Sequence, residues 1–266
     1  FVYDGSKLQK AWDALHAGDG EPYPDVKRAE ALLKAAGKSA PALDAGQLAE
    51  RLQEAWRAFH TGEFQQAYEL GTSLGPIGAS VACKALGIHT TYLVKNPDDR
   101  LERFQQVAEL AEQAMAVLPK EANSHYRVAF GNGRYSQGIS ITKALKMGIA
   151  TKVKHALDTC LKLNPKHAEA HLASALWHAE IIGKVGAMIG GLTYGAKRKL
   201  AEDHMKSALK LAPKMPTVHV EHAQMLLLLD EDNEQEAADA FERATLLKPL
   251  DAMDFLDARF AQEQIS

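Results

Sequence analysis

Paired histidines are the feature of this sequence that could most readily do chemistry. His167 and His171 are four residues apart and His219 and His222 are three apart, so each pair shares a helix face, as two ligands of one metal ion would. Glu169 lies two residues after His167, roughly 200° around a helix, and therefore points away from that face. A zinc protease helix instead places its glutamate directly after the first histidine.

Three histidines recur once in each unit of a repeating pattern, which favours a packing role over metal binding. They are His125, His171 and His219. We expect them to lie mostly buried between helices. We therefore predict no metal ligands and no cofactor.

An acidic turn near residue 230 is the second candidate, because carboxylate oxygens are the ligands that calcium prefers. A calcium loop that began at Asp230 would need glycine at its sixth position and glutamate at its twelfth. Those positions hold Gln235 and Phe241. The pattern is more typical of a solvated turn whose carboxylates, Asp232 and Glu234 among them, precede a helix.

Glycines crowd the segment 183–195, which could cradle a phosphate. No strand is predicted before this segment and no Gly-Lys-Ser/Thr ending follows, although the commonest phosphate-binding loop requires both. Gly190-Gly191 is better explained by a tight turn or a close approach of two backbones. The apolar neighbours of these glycines must cover a core, a ligand or a partner: Val185, Met188, Ile189, Leu192 and Tyr194.

Composition excludes several classes of function. The formal net charge is -3, whereas nucleic-acid binding needs a basic field, so no nucleic-acid partner is expected. No apolar stretch reaches the ~20 residues of a membrane span. Cys83 and Cys160 fall inside helical patterns and are expected to be buried, and Lys197-Arg198-Lys199 is expected to be a solvated helix start. Because the chain begins Phe1-Val2-Tyr3 without methionine, an exported or periplasmic location is favoured over a cytoplasmic one.

Four segments end in the same pattern, which indicates repeated helices. Three small or apolar residues at offsets of four and three share a helix face, and a proline five residues later stops the helix. The four sets are Val107, Ala111, Ala114 and Pro119; Val153, Leu157, Cys160 and Pro165; Ala201, Met205, Ala208 and Pro213; and Ala237, Phe241, Ala244 and Pro249.

A second pattern follows three of these prolines, with histidine six residues beyond the proline and alanine four residues further on. It occurs in "SHYRVAF", "AHLASAL" and "VHVEHAQ". These two-helix units resemble the tetratricopeptide family, whose second helix matches Ala237, Phe241, Ala244 and Pro249 fully and whose turn resembles "TGEFQQA". Histidine replaces the usual tryptophan, and the prolines are spaced more widely than the ~34 residues typical of the family.

The resemblance implies an all-α, right-handed α-solenoid of about six helix pairs with a C-terminal capping helix. Insertions between the two helices of the central repeats, near 137–150 and 183–196, should lie side by side on one edge. The predicted organisation is an atypical helix pair at 1–45, degenerate pairs at 46–119, three repeats at 120–249 and the capping helix at 250–266. Asp254, Asp257 and Arg259 of that last helix are expected to face solvent.

The resemblance also implies which residues line the concave face, since first-helix residues between the packing positions do so in that family. Asn123, Glu169 and Thr217 begin these rows, and the predicted binding residues are Tyr126, Phe130, Arg134, Leu172, Leu176, Glu180, Val220, Gln224 and Leu227. The insertions add an apolar patch of Ile139, Ile141, Met188, Ile189, Leu192 and Tyr194.

The function implied by these rows is a non-enzymatic scaffold that receives a partner protein or peptide. An alternative is a carrier for a small hydrophobic ligand, because long repeats with an apolar, glycine-containing insertion are similar to the T components of TRAP transporters. In a third reading the insertions simply fill the concave face. No motif places a serine–histidine–acid set, a cysteine–histidine pair or a carboxylate pair, so an enzyme or a metal protein is only a minor alternative. The sequence does not indicate an oligomeric state.

Overall fold

The chain is helical throughout in the computed structural model, which describes the backbone of residues 1–266 and every side chain but that of Glu231. Helix accounts for 79% of the residues, and no strand occurs among those described. Fifteen α-helices pack in neighbouring pairs. The predicted all-α class is therefore confirmed.

The chain divides into two compact units. The first contains Phe1–Leu15 and Glu21–Ser140. Its helices are α1 (Lys7–Leu15), α2 (Val26–Ala36), α3 (Ala45–Thr61), α4 (Phe64–Ser73), α5 (Ala79–Leu93), α6 (Pro97–Val117) and α7 (Ala122–Gln137). Within this unit α3 packs on α4, α4 on α5 and α6 on α7.

The second unit contains His16–Gly20 and Ile141–Ser266. Its helices are α8 (Ile141–Lys146), α9 (Ile149–Leu163), α10 (Ala168–Val185), α11 (Ala187–Tyr194), α12 (Arg198–Leu211), α13 (Pro216–Leu229), α14 (Glu234–Leu246) and α15 (Ala252–Gln264). The boundary after Ser140 falls inside the predicted block 120–249, so the division of that block into three repeats stays a prediction.

Local sequence explains where several helices begin and end. Asp44 and Gln47 form a reciprocal capping box at the start of α3, and each side chain accepts a hydrogen bond from the backbone of the other. The helix ends at Gly62, whose φ of 94° is readily adopted only by glycine. Asn96 caps α6, and Pro97 occupies its first position, where no backbone donor is needed.

The repeated second-helix pattern forms the buried faces of α6, α9, α12 and α14. All twelve of its non-proline residues are buried. In the second unit, alanines from α10, α12, α13 and α14 join Met205, Met225 and Phe241 in one core cluster. Small residues allow close helix approach, and the larger side chains fill the remaining space.

The α6–α7 pair depends on one such small residue. A Cβ atom added to Gly131 would lie 2.7 Å from the backbone nitrogen of Ala108, whereas one added to Gly133 would meet nothing within 4 Å. Only glycine at position 131 therefore permits the observed separation of the two helices.

The last helix differs from expectation in which face it buries. Asp254 and Asp257 are buried, whereas Arg259 is exposed as predicted. The backbone N–H of Leu250 donates to Asp254 (2.9 Å), and the Thr217 hydroxyl donates to the Asp257 carboxylate. The expectation that both carboxylates face solvent was therefore wrong, because they serve as buried hydrogen-bond acceptors for α15 and α13.

Candidate binding surface

The predicted concave residues of the first unit lie on α7 and are largely covered. Tyr126 is buried and Phe130 is half-buried. Phe130 packs against α5, since a Cβ atom on Gly87 would lie 2.1 Å from its ring. The guanidinium of Arg134, itself half-buried, lies 5.9 Å from the centre of the same ring.

The corresponding residues of the second unit lie on α10 and α13. Leu172 and Val220 belong to the hydrophobic core, and Leu176 is half-buried against it. Glu180 and Gln224 are half-buried, while Leu227 is exposed. Because Tyr126 and Phe130 belong to one unit and Leu172 and Leu176 to the other, a single surface formed by all four stays a prediction.

A short segment of the chain itself covers the start of this row in the second unit. The backbone N–H of Glu169 donates to the carbonyl of Gly18 (2.9 Å), and a Cβ atom on Gly18 would lie 2.7 Å from the sulfur of Met215. His16 and Asp19, on either side of Gly18 in the sequence, are buried, and Nδ1 of His16 lies 2.8 Å from Oδ1 of Asp19. Sequence reasoning missed this segment, although Gly18 and Gly20 within "HAGDG" were a signal for close backbone approach.

The recurring histidines have a hydrogen-bonding role that explains their spacing. One ring nitrogen of each, Nε2, contacts the carbonyl oxygen of the proline six residues earlier, at 2.8 Å for His125, 3.0 Å for His171 and 2.9 Å for His219. His125 and His219 are buried, and His171 is half-buried. Each ring therefore ties the end of one helix to the start of the next.

Three histidines form a cluster between α10 and α12. The Nδ1 atoms of His171 and His204 are 2.9 Å apart, and the His178 and His204 rings stack with centroids 6.1 Å apart. Burial, together with His204 and Lys154, lowers the pKa of His178 to about 4. Among the side chains that the structure describes, no group of three His, Cys, Asp or Glu has a geometry that could hold a metal ion.

A small cleft in the first unit is lined by apolar side chains and by polar groups that bond to one another. Its volume of about 30 Å³ suits a water-sized molecule. Glu21 accepts hydrogen bonds from Ser80 (2.8 Å) and Asn123 (2.7 Å), and Arg28 forms two hydrogen bonds with Glu121. These groups satisfy one another, so the cleft joins helices and offers little for a ligand.

The predicted insertion at 183–196 contains the helix α11, which turns its large apolar side chains toward solvent. Met188, Ile189 and Leu192 are 76%, 52% and 85% exposed. The opposite side of the helix is glycine: a Cβ atom on Gly190 would lie 3.1 Å from Ile181 of α10. In most surface helices the large apolar side chains face the protein core and the polar side chains face solvent, which is the opposite of the arrangement in α11.

The insertion at 137–150 contains the short helix α8, which is exposed along most of its length. Ile141, Leu145 and Met147 are exposed, whereas Ile139, in the first unit, is half-buried, as is Tyr194 of α11. We call the exposed apolar side chains of α8, of Met147 just after it and of α11 the insertion surface: Ile141, Leu145, Met147, Met188, Ile189 and Leu192.

Adjacent residues of α10 bond to the segments that follow α8 and α11, at one edge of the second unit. The indole N–H of Trp177 donates to the carbonyl of Ala150 at the start of α9 (2.9 Å). The backbone N–H of Lys197, just before α12, donates to Nδ1 of His178 (3.4 Å). Because α8 leads into α9 and α11 leads into α12, both short helices leave from this edge.

No family model and no curated protein matches the chain. The resemblance to the tetratricopeptide family therefore stays a prediction, and the candidate surface rests on its own geometry.

Positive charge accompanies the insertion surface. No acidic residue occurs in 122–157 or in 181–201. The cations near the two short helices are all exposed: Lys143, Lys146, Lys152, Lys184, Lys197, Arg198 and Lys199. Some have acidic neighbours, since Lys184 lies 3.4 Å from Glu180 and Arg198 lies 3.8 Å from Asp230. The two acid-free stretches were visible in the sequence, although its basic residues look scattered when they are counted over the whole chain.

Proposed function

We propose that this protein is a non-enzymatic binding protein and that the insertion surface is its recognition surface. The observation that carries the proposal is the orientation of α11, in which glycine packs on the protein and Met188, Ile189 and Leu192 face solvent. Burying a large apolar side chain contributes ~1.5–3 kcal/mol, so three such residues offer a substantial free energy to a partner. Contiguous exposed apolar patches commonly mark interaction sites.

The first-helix rows support this choice of surface because three of their apolar residues, Tyr126, Leu172 and Val220, are buried. Leu172 and Val220 lie in the core, and His16–Gly20 lies over the start of α10. An open groove for a peptide would instead leave such residues accessible. The protein is therefore proposed to be a binding scaffold whose recognition surface is formed by the insertions and not by the predicted concave rows.

The buried Cys83 thiol is poorly suited to nucleophilic catalysis. Burial raises the pKa of the Cys83 thiol to about 12, which removes the thiolate that a nucleophile requires.

We further propose that the paired helices are tetratricopeptide-like and continue as a right-handed solenoid. Support comes from the same histidine-to-proline hydrogen bond at His125, His171 and His219 and from the buried second-helix pattern. In repeat proteins such contacts between neighbouring units supply the stability.

Nile red, a neutral dye that fluoresces in apolar surroundings, tests the recognition surface. The full chain should enhance its fluorescence, and a Met188→Ser, Ile189→Ser, Leu192→Ser variant should lose most of the enhancement. Because these side chains are exposed, the variant should keep its helix content and lose less than ~0.5 kcal/mol of stability.

Leu246→Ser is the matched control for this experiment, since Leu246 is 77% exposed at the end of α14. It should leave the fluorescence enhancement unchanged. Full dye binding by the triple variant would show that the insertion surface is not the apolar recognition site.

A further inference from the structure

We infer that the insertion surface docks the protein onto a lipid surface that carries anionic headgroups. This inference rests on the proposed function and names the partner of the same surface. It follows from the combination of protruding apolar side chains and local positive charge at one edge of the second unit.

The shape of α11 argues for a deformable partner. Met188 and Leu192 are 76% and 85% exposed, so they stand out from the protein and do not line a concavity. A small-molecule site is concave and encloses most of its ligand. A short helix with projecting apolar side chains can instead enter the boundary between lipid headgroups and acyl chains.

The positive charge beside the insertion surface indicates that the lipid would be anionic. Both short helices lie in stretches without acidic residues, and Lys146 and Lys197 are exposed immediately beside them. Lysine near a membrane is attracted to anionic headgroups and is not attracted to zwitterionic ones. Asp230 pairs with Arg198 and Asp203 with Lys199, so the charge argument rests on Lys146 and Lys197 and not on these two paired cations.

Charge also disfavours a second copy of this chain as the occupant. A two-fold interface places the same surface patch on both partners. Both patches would then carry the same positive charge, and repulsion between them would oppose burial of Leu192 and its neighbours.

Co-sedimentation of the full chain with lipid vesicles tests the inference. The protein should sediment with vesicles that contain phosphatidylglycerol and should stay in solution with vesicles of phosphatidylcholine alone. Binding should weaken strongly near 1 M salt, where the Debye length falls to about 3 Å. Equal binding to both kinds of vesicle, or none to either, would overturn the inference.

Two sets of variants locate the contact. The Met188→Ser, Ile189→Ser, Leu192→Ser variant should lose about tenfold or more in vesicle partitioning, because the apolar side chains no longer enter the interface. Lys146→Gln and Lys197→Gln should each lower partitioning about fivefold. Unchanged partitioning in either set would place the contact elsewhere and defeat the inference.

Matched controls separate this inference from the proposed function. Lys210→Gln removes an exposed lysine at the far end of α12, roughly 18 Å along the helix from Arg198, and should leave partitioning unchanged. The triple variant could lose Nile red binding while the wild type fails to bind anionic vesicles. That result would support the recognition surface and would show that a lipid is not its partner. Dimerisation that the triple variant abolishes, in the absence of vesicle binding, would assign the surface to a second copy and would also overturn the lipid inference.

Discussion

Individual histidines in this protein serve as connectors between helices. Each ring of the recurring set binds a proline carbonyl at the end of the preceding helix, with distances from 2.8 to 3.0 Å. Each proline lies two residues beyond the helix, so its carbonyl has no partner within that helix, and an imidazole N–H is a suitable donor for it. This role explains why histidine occupies a position that an aromatic residue holds in the family the repeats resemble.

The histidine cluster at α10 makes stability depend on pH. Burial, His204 and Lys154 lower the pKa of His178 from its ordinary value near 6.5 to about 4, while Asp158 acts in the opposite direction. The folded protein therefore resists a proton that the unfolded chain accepts. The resulting stability is present above pH 6.5 and is lost as the pH falls from 6.5 toward 4.

His178→Asn tests this dependence, because the asparagine oxygen can replace Nδ1 as the acceptor for the Lys197 backbone N–H. Urea unfolding at several values between pH 7 and pH 4 should show a shallower loss of free energy of unfolding for the variant than for the wild type. Identical slopes for the two proteins would show that His178 does not resist protonation in the folded state.

At the scale of helices, the distance between packed helices depends on the positions of glycine residues. Gly131 lets α7 approach the backbone of α6, whereas Gly133, two residues along the same helix, faces open space. The same residue type therefore has opposite consequences at two neighbouring positions, since one glycine is required by contact and the other only weakens the helix.

Alanine substitutions at these two positions should change stability in opposite directions. Gly131→Ala would place a methyl group 2.7 Å from the Ala108 backbone and should cost at least ~2 kcal/mol, because a helix backbone cannot move aside easily. Gly133→Ala should add ~0.5–1 kcal/mol through helix propensity alone. Chemical denaturation of both variants provides the comparison, and destabilisation by Gly133→Ala would contradict this account of α7.

At the scale of the whole molecule, each compact unit has its own buried core, and six of the exposed large apolar side chains lie at the insertions of the second. Leu176 is half-buried against the core of that unit, whereas Leu192 is 85% exposed on α11. No helix among the described residues is long and apolar enough to cross a membrane. Leu176 is therefore partly a core residue and Leu192 a surface residue, although both were predicted to contact a partner or ligand.

The same substitution at both leucines distinguishes core from surface. Leu176→Asp should lower the free energy of unfolding by more than ~2 kcal/mol, because a carboxylate would be placed against apolar neighbours. Leu192→Asp should change it by less than ~0.5 kcal/mol while weakening contact with apolar probes. Thermal melts of the two variants measure this difference, and equal melting temperatures would mean that Leu176 is as accessible as Leu192.

The sequence by itself determined the helical class, the ends of the four second helices and the buried faces of those helices. Those features depend on local periodicity and on stop signals such as the prolines after α6, α9 and α12. Its rows of candidate binding residues, Leu172 and Val220 among them, also followed from helix periodicity, which identifies residues on a shared face but does not show what covers that face.

Only the tertiary structure decided which apolar residues are covered. Leu172 is buried because α13 and the rest of the second core close over it, and His16–Gly20, far away in the chain, lies over neighbouring Glu169. The orientation of α11 was equally hidden, since its apolar residues Met188, Ile189 and Leu192 stand on both sides of Gly190-Gly191 in the sequence and form no clear stripe. Burial is a property of contacts between residues distant in sequence, and a single helix pattern does not contain that information.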